Sequence, residues 1–165
     1  MIIVMPAVIL ARKAPGGGGG RLYTEGTEDV AWVAGYSSGD GSQSKEADHL
    51  RLYAAGQGGG LYPERTWVTD GLVDLTGWNT LWIDWLNNGM AHTQNLSAFI
   101  ISTNKSSGLA TYTRRVYKTS SFARVNESID VSDLNAGYYV RIHAKDNNAT
   151  FTRPSGINTY NVWLQ

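Results

Sequence analysis

Two matching stretches organise the pattern of apolar and polar positions along this chain. Residues 73–85 and 129–144 each read apolar, Asp, apolar, Thr or Ser, and then run through a short turn into a segment rich in aromatic and β-branched residues. Such segments suit a pleated, half-buried strand, and the Asp and hydroxyl oxygens can accept hydrogen bonds from backbone N–H groups in the turn. Each stretch predicts a corner between two strands, and the pair predicts a two-sheet sandwich built from similar halves.

Side chains alternate across a strand, so each of the two long strands has a predicted core face and a predicted outer face. The core face of the first strand is wholly apolar, with Leu81, Ile83 and Trp85. Its outer face carries Trp82 and Asp84. The core face of the second strand carries Tyr138, Val140, Ile142 and Ala144. Its outer face is aromatic and charged, with Tyr139, Arg141 and His143.

The outward aromatic residues are the predicted contacts for a glycan or a protein. Trp82, Tyr139 and Tyr53 are the candidates, because Trp and Tyr rings can stack on sugar rings or anchor protein contacts. Arg141 and Asp84 would supply directional hydrogen bonds beside them. The alternative for Trp82 is that a loop covers it, since large aromatic side chains are usually mostly buried.

The rest of the chain repeats the strand pattern. About nine segments alternate or run apolar at roughly regular spacing, and glycine- and asparagine-rich turns separate them. Residues 36–43 are predicted to be one such turn-rich loop. No segment has the periodicity of an amphipathic helix, so the pattern indicates an all-β sandwich or barrel.

The first twenty residues are predicted to be an arm outside the globular domain of residues 21–165. Residues 1–11 are apolar but too short to span a bilayer, which takes roughly 20 residues, and no basic leader precedes them. Pro6 interrupts a helix, and glycines 16–20 form a flexible hinge. We predict that the arm contacts another protein chain through Ile2, Ile3, Val4, Met5, Val8, Ile9 and Leu10. The alternative is a disordered tail.

Composition narrows the possible functions. Lys+Arg and Asp+Glu both number 14 in 165 residues, which argues against a dedicated nucleic-acid binder. The absence of cysteine excludes disulfides and cysteine-based zinc sites. Residues 25–48 are mainly acidic, and residues 105–124 carry only basic charges. A chance arrangement of solvated loops is the favoured explanation of these segments, and a complementary contact between neighbouring copies of the chain is the alternative.

No catalytic motif appears in the sequence. His49, His92 and His143 lack the spacing of a helical metal site, and there is no nucleophile elbow or phosphate loop. A glycoside hydrolase needs two carboxylates across a cleft, and Asp84 has no partner that the sequence identifies. We therefore predict a protein that is not an enzyme and that uses no cofactor or metal.

Several motifs resemble known jelly-roll domains. The two corner stretches and the closing Tyr160–Leu164 segment resemble jelly-roll carbohydrate-binding modules. Residues 35–164, which also contain the Ser-Thr-Asn-Lys sequence at 102–105, resemble a domain of tail and virion-surface proteins from phages of Gram-positive bacteria. The resemblance implies an antiparallel two-sheet jelly-roll sandwich. Many such modules hold a structural calcium near a carboxylate of the last strand, where this chain has Asn161.

Three functions are compatible with these observations. The first is a non-catalytic phage virion structural protein on the particle surface, as a capsid decoration or tail accessory. It would be anchored to shell or tail proteins by its arm, form a homo-oligomer (a trimer is favoured) and bind host-surface glycans. It would not bind nucleic acid or insert into a membrane. The second is a carbohydrate-binding module of a secreted glycan-acting system. The third is a small glycan-acting enzyme.

Overall fold

The computed structural model describes residues 8–9, 20–54, 63–87, 96–118, 122–146 and 155–165. These residues contain no helix, so the described part of the chain has none that could cross a membrane. They form fourteen strands: β1 (Val8–Ile9), β2 (Gly20–Thr24), β3 (Thr27–Glu28), β4 (Trp32–Ser38), β5 (Gly41–Lys45), β6 (Leu50–Ala54), β7 (Glu64–Thr69), β8 (Leu72–Asp74), β9 (Thr80–Asn87), β10 (Leu96–Ser102), β11 (Arg114–Lys118), β12 (Arg124–Asp130), β13 (Gly137–Lys145) and β14 (Ser155–Leu164).

Sheet one is built around β13. Strand β10 runs antiparallel along one side of β13 and carries β11 on its own far side. Strands β7 and β8 share the other side of β13, and β4 lies outside β7. The central strand therefore has one continuous neighbour and two shorter ones.

Sheet two is built around β14 in the same way. Strand β9 runs along one side of β14 with β12 outside it. Strands β6 and β2 share the other side, and they carry β5 and β3 respectively. The similar halves predicted from the two corner stretches are therefore present in the strand order.

The core lies between the two sheets and consists of the predicted core faces. Trp85 is fully buried, and its ring meets Phe99 edge-on at 6.4 Å between centroids. Leu81, Ile83, Val140, Ile142 and Ala144 are each 0 % exposed, with Tyr138 packed at their margin. The alternation of apolar residues predicted these positions correctly because a one-residue shift would turn every apolar side chain outward.

The two corners carry the chain from one sheet to the other. Asp74 ends β8, and its Oδ1 accepts the Thr76 N–H at 2.9 Å before β9 begins in sheet two. Asp130 ends β12, and its Oδ1 accepts the Ser132 N–H at 2.9 Å before β13 begins in sheet one. Hydrogen bonds from Thr76 and Ser132 hold the pKa of both carboxyls below the usual range. Both predicted corners are confirmed.

Residues 36–43 differ from the predicted loop. Strand β4 continues to Ser38 and β5 begins at Gly41, so the turn between them is short. Gly39 has a φ of 62°, and a side chain on Gly41 would come within 2.1 Å of the Tyr53 carbonyl oxygen. The glycines that indicated a loop in the sequence are instead required by a tight turn and a close strand contact.

One short piece of the predicted arm is described. Val8 and Ile9 pair in parallel with Leu72 and Val73 at the edge of the chain's own sheet one. This pairing differs from the predicted contact with another protein chain. Ile2, Ile3, Val4, Met5 and Leu10 lie outside the described residues, so partner binding by the arm stays a prediction.

Candidate functional site

The outer side of sheet two carries two tryptophans from neighbouring strands. Trp82 on β9 lies directly opposite Trp163 on β14, and their rings stack with centroids 5.8 Å apart and planes 8° from parallel. Both side chains are half-buried. We call this surface the Trp face; it consists of the outward side chains of β12, β9, β14, β2 and β6.

A fixed polar network lies beside the stacked rings. Asp84, two residues along β9 from Trp82, is only 7 % exposed. The Arg124 guanidinium donates to both of its oxygens, at 2.8 Å to Oδ1 and 2.5 Å to Oδ2, and Asn161 Nδ2 donates to Oδ2 at 2.7 Å. The hydrogen bond to Asp84 raises the pKa of Arg124. The charge of this carboxylate is therefore compensated, and its position is set from two strands.

A bulge in β14 adds an aromatic ring to the same face. The pairing of β14 with β9 shifts between Thr159 and Asn161, so Tyr160 and Asn161 both reach the outer side. The guanidinium carbon of Arg124 lies 3.9 Å from the Tyr160 ring centroid, and the His49 ring lies 5.4 Å from it on centroids. Tyr160 is therefore packed between a cation and an imidazole.

The calcium site of similar modules is not reproduced at Asn161. A cation site needs oxygen ligands free to coordinate, whereas the amide N–H of Asn161 points at Asp84 and Arg124 occupies both oxygens of that carboxylate. The described residues also contain no group of three His, Asp or Glu side chains that could hold a metal. We therefore assign no metal to this position.

The structure divides the five predicted contact residues between two faces. Trp82 and Asp84 lie on the Trp face, and Tyr53 lies on the same face, half-buried on β6. Tyr139 and Arg141 point away from the core on the outer side of sheet one. The structure therefore brings three of the five onto one surface and separates the other two from them.

The outer side of sheet one is buried, which corrects the prediction of an exposed face there. Residues 103–113, between β10 and β11, fold back over the strands; we call this segment the strap. The covered face beneath it consists of the outward residues Glu64, Thr66, Tyr139, Arg141 and His143, all of which are buried. Arg141, with 0 % exposure, and Tyr139, with 9 %, lie under the strap and are not free to meet a glycan.

Charged side chains of the covered face bind the backbone of the strap. Arg141 donates to the carbonyl oxygens of Ser107 and Thr111 and to the Ser107 hydroxyl at 2.7 Å. The Glu64 carboxylate accepts the Leu109 N–H at 2.6 Å, and Leu109 packs on the outward Ala98 and Ile100. The strap is therefore held by buried hydrogen bonds and by a small apolar cluster of its own.

Burial sets the protonation of this face. It lowers the pKa of Arg141 to about 10, which leaves the guanidinium charged at neutral pH. His143 Nδ1 lies 2.8 Å from Glu64 Oε1. Burial lowers the pKa of His143 despite the hydrogen bond to Glu64, whereas for Glu64 the His143 hydrogen bond and nearby cations outweigh burial and lower its pKa. At neutral pH the ionised Glu64 therefore accepts a hydrogen bond from the Nδ1–H of a neutral His143 ring.

Several residues of the Trp face were not among the predicted contacts, including the four that surround Trp82 and Asp84. Trp163 and Asn161 could have been found, because they alternate with the apolar Val162 and Leu164 in the closing strand. Arg124 and Tyr160 could not be found in this way. Their positions depend on the pairing of β12 with β9 and on the bulge in β14, and neither feature has a local sequence signal.

Comparison with known proteins supports the fold. No protein-family profile matches the sequence, and no curated protein matches it significantly. The glycoside hydrolase domain of Endo-D from Streptococcus pneumoniae matches with a TM-score of 0.56 at 13 % identity over 81 % of this chain. This chain spans only 21 % of that protein. A family 29 carbohydrate-binding module from Piromyces equi matches with a TM-score of 0.50 at 12 % identity over 89 % of both chains.

These likenesses confirm the predicted fold class, an all-β jelly-roll sandwich of the carbohydrate-binding-module type. At such low identity they establish the fold and not the ligand. Neither matched protein is described as a virion component. Display on a virion surface, attachment to shell or tail proteins and a homo-oligomeric state therefore stay predictions.

Proposed function

We propose that this domain is a non-catalytic carbohydrate-binding module whose glycan lies on the Trp face. The observation that carries the proposal is the stacked, half-buried pair of Trp82 and Trp163. Indole rings offer a broad, rigid, apolar surface with few rotatable bonds, so little conformational entropy is lost when a ligand covers them. A sugar ring, which has apolar C–H faces and polar edges, is complementary to such a surface.

Polar groups beside the rings provide the hydrogen bonds that a glycan needs. Asn126 and Ser128 on β12 are exposed, and they lie directly opposite Asp84 and Trp82 on β9. Asp84 is already held by Arg124 and Asn161, so its position is set before a ligand arrives. Preorganised groups of this kind reduce the entropy cost of binding.

The same network argues against catalysis on this face. A glycoside hydrolase uses one carboxyl group as an acid and a second as a base or nucleophile on opposite sides of the scissile bond. The two oxygens of Asp84 accept hydrogen bonds from Arg124 and Asn161. Both oxygens of this carboxylate are therefore engaged within the domain. The family 29 carbohydrate-binding module shares this fold over 89 % of both chains, whereas the glycoside hydrolase chain is matched over only 21 % of its own length.

A polysaccharide-binding assay with matched variants tests the proposal. The wild-type domain would be screened against a glycan array and by affinity electrophoresis, beside Trp82→Ala, Trp163→Ala and Tyr112→Ala. Tyr112 is the control because it is a 42 % exposed aromatic residue on the strap of the other sheet. We expect each tryptophan variant to lose about tenfold in affinity, equal to about 1.4 kcal/mol, and Tyr112→Ala to bind like the wild type.

Two results would overturn the proposal. One is the absence of any bound glycan across a broad array of plant, fungal and bacterial polysaccharides. The other is binding that survives both tryptophan substitutions unchanged. Thermal melts of each variant would confirm that the domain is folded in the assay, so that a loss of binding reports on the Trp face.

A further inference from the structure

We infer that the ligand of the Trp face is an anionic glycan, one that carries carboxylate, phosphate or sulfate groups along its chain. This inference rests on the proposed function and adds the chemical class of the ligand. It follows from the charges that surround the two tryptophans, taken with the pairing of the strands that carry them.

The first cation beside the rings is Arg21 on β2. It lies directly opposite Trp163 in the pairing of β2 with β14. Directly opposed residues in an antiparallel pair have Cβ atoms about 4.5–5.5 Å apart, so the Arg21 side chain starts beside the indole ring. Arg21 is exposed, and none of the ion pairs within the described part of the chain involves it.

The second cation is Arg51 on β6. It lies opposite Asn158 of β14 on one side and Ser44 of β5 on the other, with its side chain exposed on the outer side of the sheet. Its guanidinium also lacks a carboxylate partner among the described residues. The half-buried Tyr53 follows two residues later on the same side of β6. One unpaired guanidinium thus lies beside the tryptophans and a second lies along the same face.

Several acidic groups of this region already make contacts within the domain. Asp84 is paired with Arg124, and Glu25 lies 3.7 Å from the same guanidinium. Asp48 is hydrogen-bonded to His49 at 2.6 Å. Asp130, at the far end of β12, accepts from the Ser132 N–H and hydroxyl in its corner. Among the described cations of the Trp face, Arg21 and Arg51 are therefore the two without a carboxylate partner.

Two free guanidinium groups favour an anionic ligand over a neutral one. A guanidinium presents several N–H donors in a planar fork that fits a carboxylate or a phosphate with two parallel hydrogen bonds. A neutral sugar could use these donors singly but would leave both charges uncompensated. The Trp pair provides stacking for the sugar ring, and the arginines provide the selectivity for its acidic substituents.

The test compares charged and uncharged polymers on matched variants. The probes are polygalacturonate and dextran sulfate, with methyl-esterified galacturonan and dextran as their uncharged partners. Poly(glycerol phosphate) is added to test whether phosphate is bound without a sugar ring. The variants are the double substitution Arg21→Gln/Arg51→Gln and the control Arg115→Gln. Arg115 is a suitable control because it lies on sheet one, 3.9 Å from the Tyr112 ring centroid and 4.5 Å from that of Tyr117.

We expect the wild type to bind one acidic polymer at least tenfold more tightly than its uncharged partner. The double variant should lose that preference, whereas Arg115→Gln should keep it. Raising NaCl from about 0.05 to 0.5 M should weaken the wild type more than the double variant, because salt screens exposed charges. The acidic polymer that binds best identifies which of the three anionic groups is recognised.

The outcomes separate this inference from the proposed function. If Trp82→Ala abolishes binding but the double arginine variant binds like the wild type, the ligand is a neutral glycan and this inference is wrong. If the arginine variant loses binding while both tryptophan variants retain it, charge alone holds the polymer. That result would overturn the carbohydrate-binding proposal and this inference together.

Discussion

The Trp face and the covered face lie on the outer sides of two sheets that share one strand arrangement. On each face, aromatic and charged side chains occupy alternate positions of one strand: β13 on the covered face and β9 on the Trp face. On the Trp face, Asp84, Arg124 and Asn161 satisfy one another and leave two indole rings half-buried. On the covered face, Arg141 and Glu64 bind backbone groups of the strap instead.

The difference shows that a connection between strands decides which face remains available. Buried polar groups must be hydrogen-bonded, and the strap supplies backbone partners at the spacing of the outward Arg141 and Glu64. The covered face therefore contributes to stability, whereas the Trp face is able to contribute to recognition. Substitutions on the two faces should accordingly differ in their effect on the free energy of unfolding.

The largest expected loss in the free energy of unfolding comes from a substitution in the core, and losses on the two faces can be compared with it. Trp85→Ala should cost about 3–5 kcal/mol, as other large truncations in cores do, because Trp85 is fully buried. Trp82→Ala, three residues away on the Trp face, should cost about 1 kcal/mol, the value of a stacked aromatic pair. Urea melts measure both free energies of unfolding. Equal losses would show that the assignment of faces on β9 is wrong.

The next effect separates the two faces directly. Arg141→Met replaces the guanidinium with an apolar side chain of similar length. It therefore removes the donors to the Ser107 and Thr111 carbonyls. Loss of these part-buried, charge-assisted hydrogen bonds should destabilise the domain by about 2–4 kcal/mol. The control Arg51→Met on the Trp face should stay within about 0.5 kcal/mol of the wild type. Hydrogen exchange should show faster exchange in the strap of the first variant only; slow exchange there would contradict this account.

A pH series tests the protonation of the covered face. The pKa values of His143 and Glu64 are both lowered by folding, so below the usual His pKa of 6.5 the unfolded chain binds more protons than the folded one. The free energy of unfolding should be highest above that pH and fall as the pH drops through the lowered values. Urea midpoints measured from about pH 8 to pH 4 record this fall. In His143→Gln, the free energy of unfolding should fall less as the pH first drops below 6.5. A pH profile equal to that of the wild type would exclude His143 as a cause of the fall.

The smallest effect concerns the rim of the strap. Lys105 Nζ pairs with Asp70 Oδ1 at 2.6 Å, and both side chains are partly exposed. Exposed ion pairs are worth about 0.2–1 kcal/mol, so Lys105→Ala should destabilise the domain far less than Arg141→Met. Parallel urea melts of the two variants make the comparison. A loss as large as that of Arg141→Met would mean that the rim, and not the buried contacts, holds the strap.

Sequence patterns predicted the features that depend on local alternation. They identified the core faces of β9 and β13, both Asp-initiated corners and the outward position of Trp82, because each follows from neighbouring residues. They failed for Arg141 and His143. Alternation shows which side of a strand faces away from the core, but it does not show whether a distant loop lies on that side.

Features that depend on pairing between distant strands could not be predicted from sequence patterns either. The partner of Asp84 is Arg124, forty positions later, and the two meet only because β12 pairs with β9 in one register. The bulge that turns Tyr160 outward likewise depends on how β14 aligns with β9. Such registers are set by the whole sheet, so no short motif encodes them.

The central place of β14 has a consequence for how the chain folds during synthesis. Every described strand of sheet one has been synthesised by Lys145, whereas sheet two lacks its middle until Ser155–Leu164 has been made. At about 5–20 residues per second, the earliest strand of sheet two waits on the order of 10 s for the partner that joins β2, β6 and β9. Through that interval the apolar sides of these strands have no central partner. The half of the domain that later carries the half-buried tryptophan pair is therefore the last to be completed.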